Sequence, residues 1–113
     1  MAIALVDSNT SSLTTTGGPY TTHSVTAPAG LADGHLVILV ICNNGSINPN
    51  AMTFDSGSGF TLEKEFTAIG NPKWGLWWKI ASGEPATYTL SGFSVANSSL
   101  CVVAFSGVDT TTP

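Results

Sequence analysis

The feature that most constrains this chain is an uninterrupted apolar run, Leu36–Cys42, with the sequence Leu-Val-Ile-Leu-Val-Ile-Cys. Turn-forming residues border it on both sides, Asp33-Gly34 before it and Asn43-Asn44-Gly45 after it. A short run that is rich in β-branched residues and bounded by turns predicts a β-strand. Because residues of both parities are apolar, neither face is expected to contact water, and the run is predicted to be a central strand.

The remaining pattern is also that of strands. Leu100–Phe105 is a second fully apolar run and is predicted to lie beside the first, while Phe60–Ala68 alternates between apolar and polar residues. With 113 residues and no helical period, the chain is predicted to be a single all-β domain, an antiparallel, jelly-roll-like β-sandwich. Residues 20–113 are assigned to the sandwich. Residues 1–19 are assigned to an N-terminal strand, Ile3–Asp7, followed by a polar loop or arm.

A hairpin is predicted where Phe60–Ala68 is followed by Trp74–Ile80. Folding these strands about Asn71 places Glu63 opposite Lys79 on a solvent-facing side, where the charges stabilise the pair by roughly 0.2–1 kcal/mol.

The same register assigns the three tryptophans to faces. Trp74 and Trp78 are predicted to enter the core, and Trp77 is predicted to lie on the polar face near Glu65. Because tryptophan is enriched at contact surfaces, Trp77, Glu65 and Lys79 form the candidate contact surface.

No pattern of catalytic or metal-binding residues is found. His23 and His35 are predicted to lie in or beside turns, without the spaced partners that a metal site needs. Asp55-Ser56-Gly57-Ser58-Gly59 matches neither a calcium loop nor a nucleophile elbow, and is predicted to be a flexible turn. We therefore expect no enzymatic activity and no cofactor.

Charge and cysteine content bear on partners and compartment. The net charge of −4, with three lysines and no arginine, argues against binding nucleic acid or an anionic membrane. The first residues carry no basic segment of an export signal, so we expect a soluble protein released into the cytoplasm of the cell that makes it. Cys42 and Cys101 are predicted to be buried free thiols, although their spacing leaves a disulfide open.

Four segments together resemble a module common in the virion proteins of tailed phages. They are Asp33-Gly34-His35-Leu36-Val37, Gly59-Phe60-Thr61-Leu62, the run from Trp77-Trp78-Lys79 through Gly83-Glu84-Pro85 to Tyr88-Thr89, and Ala104-Phe105-Ser106-Gly107-Val108-Asp109. The resemblance covers about residues 25–110.

The resemblance implies a non-enzymatic structural protein on the surface of a phage particle. A short, free-standing module suits a capsid decoration (cement) protein that binds the outer shell, with the major capsid protein or another virion protein as partner and with homo-oligomers expected. A receptor- or glycan-binding module of a tail fibre or spike is the alternative, and it predicts that Trp77 is exposed. A carbohydrate-binding or adhesion domain is a further alternative.

Overall fold

The computed structural model describes residues 2–13, 20–46, 52–66 and 73–111. Within them the strands are β1 (Ala4–Leu13), β2 (Tyr20–Thr26), β3 (Leu36–Ser46), β4 (Thr53–Ser56), β5 (Thr61–Phe66), β6 (Lys73–Ile80) and β7 (Thr87–Ser106). All neighbouring strands are antiparallel. The predicted all-β fold is confirmed.

The strands form two sheets that share β7. The larger sheet has the strand order β1-β7-β3-β6-β5, and the smaller consists of β2 and β4 on either side of the first part of β7. This long strand changes sheets near Gly92, whose φ of 93° lies in the left-handed region that favours glycine. A strand that passes from one sheet to the next holds the two layers of a sandwich together.

The core lies between the two sheets. From the larger sheet it takes Val37, Leu39 and Ile41 of β3, Leu100, Val102 and Ala104 of β7, and Trp77 of β6. From the smaller sheet it takes Val25, Tyr88 and Leu90. Full burial of side chains of this size stabilises the fold by about 1.5–3 kcal/mol each.

The predicted placement of the two apolar runs is confirmed. Leu36–Cys42 lies inside the larger sheet, between β6 and β7, and Leu100–Phe105 pairs with it directly. The expectation that both faces of the first run are buried is wrong. One parity is fully buried in the core, whereas the other parity lies on the outer face of the sheet and is partly exposed.

The polar stretch after Asp7 is predicted to be a loop, and this is wrong as far as Leu13, where β1 ends. β1 continues through this polar stretch because an inward-facing polar side chain forms hydrogen bonds with the end of β2. The Asn9 amide donates to the carbonyl oxygens of Thr26 and Ala27, each at 3.1 Å. The rest of the predicted arm, residues 14–19, lies outside the described residues.

The predicted register of the β5–β6 hairpin is also wrong. Leu62 lies opposite Trp77, and a bulge at Glu63 then shifts the pairing so that Lys64 lies opposite Leu76. The observed pairing of Leu62 with Trp77 differs from the predicted register by an odd number of residues, and an odd shift exchanges the two faces of a strand. The bulge at Glu63 then exchanges the faces once more within β5. The predicted turn centre, Asn71, lies outside the described residues.

Candidate functional site

The structure places the three residues of the predicted contact surface in different environments. Trp77 is only 4% exposed, and its ring meets the edge of Phe54 with centroids 5.6 Å apart. The prediction that Trp77 lies on the polar face is therefore wrong, because the register puts it opposite Leu62. Glu65 lies opposite Gly75 and is half-buried. These residues do not form one exposed surface.

Lys79 forms an ion pair with Glu84 and not with Glu63. The Nζ–Oε1 distance is 2.7 Å, and the two side chains are 12% and 6% exposed. The ammonium group also donates to the carbonyl oxygen of Ser58 at 2.6 Å and lies 5.5 Å from the centre of the Phe60 ring. Lys79 is thus held inside the protein, where its charge has a structural role.

Glu84 connects this ion pair to the core. Its Oε2 accepts a hydrogen bond from the Tyr88 hydroxyl at 2.9 Å, and its Oε1 accepts from the Ser82 backbone N–H at 3.0 Å. Burial, together with the hydrogen bond to Glu84 and its negative charge, raises the pKa of Tyr88 above its ordinary value. The lysine, glutamate and tyrosine of the longest motif therefore form one structural network.

The Asp33-Gly34 motif is bound to the turn before Glu84. The Asp33 carboxylate accepts from the Gly83 N–H at 2.9 Å, and the Gly34 N–H donates to the Ala81 carbonyl at 2.9 Å. Ala81 in turn donates its N–H to the His35 carbonyl at 2.8 Å. The polar residues of this motif are thus used to join β3 to the turn after β6.

Gly107, in the last of the four motifs, occupies a position where the structure requires glycine. Its φ is 74°, and a Cβ atom there would overlap the backbone oxygen of Ala2. Asp109, two residues later, accepts from the backbone N–H and the hydroxyl of Thr111. The motif ends β7 and holds the start of the chain against it.

His23 lies in β2 and is 2% exposed, so its predicted position in or beside a turn is wrong. Its Nδ1 is 2.7 Å from the Ser98 hydroxyl and its Nε2 is 3.0 Å from the Ser11 hydroxyl. Burial lowers the pKa of His23, opposed by the interaction with Ser11. Because Ser98 is also 2% exposed, a substrate could not reach its hydroxyl, and the arrangement serves to join β1, β2 and β7.

A row-ordered apolar surface lies on the outer side of the five-stranded sheet and is called the outer face below. Its residues on the three central strands are Phe105, Val103, Cys101 and Ser99 of β7, Leu36, Ile38, Val40 and Cys42 of β3, and Ile80, Trp78, Leu76 and Trp74 of β6. All of these are apolar except Ser99. Each is partly exposed apart from Ser99, which is exposed.

The outer face is ordered in rows across the strands. Val103, Ile38 and Trp78 lie side by side, and the next row contains Cys101, Val40 and Leu76. On β1, Leu5 lies opposite Phe105 and is 61% exposed, so it extends the apolar surface at one end of this edge strand. The other β1 positions in these rows are exposed hydroxyl residues: Ser8, Thr10 and Ser12.

Both cysteines lie on the outer face. They are free and partly exposed, so the prediction of free thiols is confirmed and that of full burial is wrong. Cys101 lies opposite Val40, and Cys42 lies opposite Ser99. The two residues are therefore diagonal neighbours, whose Cα separation of about 7–8 Å exceeds that of a disulfide.

Two charged side chains of the described residues, Glu63 and Lys64, lie at the rim of the outer face on β5. The Trp78 indole Nε1 donates to the Glu63 carboxylate at 3.1 Å, which places this negative charge beside the row of Ile38. Lys64 lies opposite Leu76, one row away, and is exposed. The rim therefore carries opposite charges on adjacent rows.

Among the residues that the structure describes, no cluster of histidine, cysteine and acidic side chains could hold a metal ion. The same residues include no helix long and apolar enough to cross a membrane. Comparison with known proteins gave no match to a family model, to a curated protein or to a solved structure. The outer face is therefore the candidate functional site on its geometry alone.

Proposed function

We propose that this protein is a non-enzymatic structural component of a virus particle, a decoration subunit bound to the outside of a tailed-phage capsid. The β-sandwich and the four motifs of the sequence support this proposal. The motif residues Lys79, Glu84 and Tyr88 are used to stabilise the fold, as expected of a rigid structural module.

The observation that carries the proposal is the outer face. The largest apolar patch on a typical soluble monomer covers about 300–600 Å² and is often functional, because continuous apolar surfaces of this size mark contacts with other proteins. An apolar sheet face on a small sandwich suits a protein whose role is assembly. On this proposal the decoration subunit binds the major capsid protein or another virion protein.

A glycan-binding tail module is the second candidate. The buried position of Trp77 removes the exposed tryptophan that this alternative predicts. Trp74 and Trp78 are partly exposed on the outer face, and they offer an aromatic platform in its place. If this candidate is correct, Trp78→Ala abolishes glycan binding by a folded protein.

The copy number of the protein on particles tests the proposal. Quantitative mass spectrometry of purified particles is expected to find it in many copies, in fixed proportion to the major capsid protein. Particles assembled without the protein should bind the purified protein until they carry the same number of copies as native particles. A handful of copies per particle favours the tail module, and absence from purified particles overturns the proposal.

A further inference from the structure

We propose that the outer face is a homodimer interface, in which the outer face of one chain packs against the outer face of a second copy. This inference deepens the proposed function, because it makes a dimer the unit that attaches to the particle. The edges of the sandwich, its loops and the outer side of the smaller sheet remain available to the shell.

The two outward-facing surfaces of the sandwich differ in chemistry. The smaller sheet directs hydroxyl groups outward, including those of Ser24 and Thr89, which are 2.9 Å apart, and of Thr53 and Ser91, 2.8 Å apart. This is the surface of a sheet that faces water. The three central strands of the larger sheet carry aliphatic and aromatic side chains at the equivalent positions, as a sheet does when a second layer covers it.

The size of the outer face fits a dimer. Side chains on one face recur about every 6.8 Å along a strand, and strands lie about 4.8 Å apart, so four rows on the three central apolar strands cover roughly 400 Å² in projection. With the more polar edge strands β1 and β5 the whole face covers roughly 650 Å², close to the roughly 800 Å² that each partner buries in a standard interface. A face-to-face pair thus buries enough surface for a specific complex.

The shape favours a second copy over an unrelated partner. A sheet face pairs with another sheet face at a separation of about 10 Å with the strands roughly aligned, which is how sandwiches are built. Two identical faces related by a two-fold axis satisfy this geometry with every contact made twice. The central residues of each copy, Ile38 and Val40, then lie at the centre of the interface.

The rim charges are also self-complementary. Consider a two-fold axis that lies in the plane between the two faces and runs perpendicular to the strands, midway between the rows of Ile38 and Val40. This axis places the Ile38 row of one copy over the Val40 row of the other. Lys64 of one copy then lies over the row that holds Glu63 in the other. By the same symmetry, Glu63 of the first copy lies over the row of Lys64 in the second, also at the β5 edge. Like charges do not meet at this edge, so the pairing favours this orientation.

Substitutions on the two surfaces test the inference. Wild-type protein should have the mass of two chains by light scattering. Ile38→Asp should give a folded monomer, with dimer affinity reduced about 30-fold or more, as for loss of a central hot-spot residue. Thr22→Asp, on the outer side of the smaller sheet, is the matched control and should remain dimeric. A monomeric wild type, or a dimeric Ile38→Asp, overturns the inference.

The rim gives a second test that is independent of the apolar centre. Lys64→Glu should weaken the dimer because it places two acidic residues together, and combining it with Glu63→Lys should restore affinity. If the double variant is no tighter than Lys64→Glu, the proposed orientation is wrong.

The native thiols report on the interface without any substitution. Cys42 and Cys101 should be alkylated slowly by a polar reagent at high protein concentration and faster on dilution, by about tenfold once the dimer dissociates. Equal rates at all concentrations contradict the inference even if Ile38→Asp fails to fold.

Particle binding separates this inference from the proposed function. If the wild-type dimer forms but does not bind particles, the decoration role fails while the inference stands. If a monomeric wild type binds particles and Ile38→Asp does not, the shell covers the outer face and the inference fails while the decoration role stands.

Discussion

Trp77 and Trp78 are adjacent in β6, and they lie on opposite faces of the larger sheet. The ring of Trp77 is enclosed between the sheets, whereas Trp78 lies on the outer face and donates its indole N–H to Glu63 at 3.1 Å. The strand is apolar on both faces, but among the described residues only one face is packed into the core and the other is partly exposed. This difference between the two tryptophans is the basis of the proposed assembly role.

The two tryptophans should therefore differ in their contribution to stability. In the monomeric Ile38→Asp background, Trp77→Ala should lower the free energy of unfolding by about 3–5 kcal/mol, since it leaves a cavity in the core. Trp78→Ala should cost less than about 1.5 kcal/mol, because that side chain is partly exposed. Urea denaturation measures both values, and equal losses would contradict the assignment of faces.

Glu84→Gln should destabilise the fold by about 3 kcal/mol, because it leaves the Lys79 ammonium buried without its partner. Glu63→Gln, which changes an exposed carboxylate, is the control and should cost less than about 1 kcal/mol. Replacing both members of the pair, as Lys79→Met with Glu84→Leu, should recover much of the loss in urea denaturation. A neutral Glu84→Gln would show that the ion pair has no structural role.

Acidification should destabilise the protein through His23. Its folded pKa lies below the ordinary 6.5, so the unfolded chain takes up the proton first as the pH falls. The stabilising contribution is therefore present above pH 6.5 and is lost as the pH falls through the lowered pKa of the folded state, with a slope of up to about 1.4 kcal/mol per pH unit.

Comparison of variants isolates this effect from that of the carboxylates. Between pH 7 and pH 5, His23→Gln should lose less stability than the wild type. Parallel curves for the two proteins would mean that His23 titrates equally in the folded and unfolded states.

Gly107→Ala should destabilise the protein more than Gly34→Ala. Both glycines have a positive φ, 74° and 87°, so each substitution carries a conformational cost of about 1 kcal/mol. Only at Gly107 would the added Cβ overlap another group, the backbone oxygen of Ala2, whereas it meets open space at Gly34. Thermal unfolding measures the difference, and equal losses would show that Ala2 does not pack against this turn.

The strands that are apolar on both faces could be predicted from the sequence, and so could their pairing. Leu36–Cys42 and Leu100–Phe105 are short, β-branched and bounded by turn residues, and these local properties are sufficient. The faces of β6 could not be predicted. A bulge at Glu63 and the position of the hairpin turn determine them, and a register error of one residue exchanges Trp77 with Trp78.

The contacts of Lys79 could not be predicted for a different reason. Its position on a strand favours a cross-strand partner, Glu63, whereas the fold brings it to Glu84 in the following turn. Contacts of this kind depend on tertiary structure.

The outer face could be recognised in part from the sequence. Runs that are apolar on both parities predict burial on both sides, and among the described residues only one side is buried in the core. The second layer that such a pattern requires is, on our proposal, another copy of the chain.

Sedimentation equilibrium over a wide range of protein concentration tests this central claim most directly. The account predicts that wild-type protein approaches twice the single-chain mass of 11.6 kDa and that Ile38→Asp stays at the single-chain mass. A wild-type protein that stays at the mass of one chain at every concentration would contradict it.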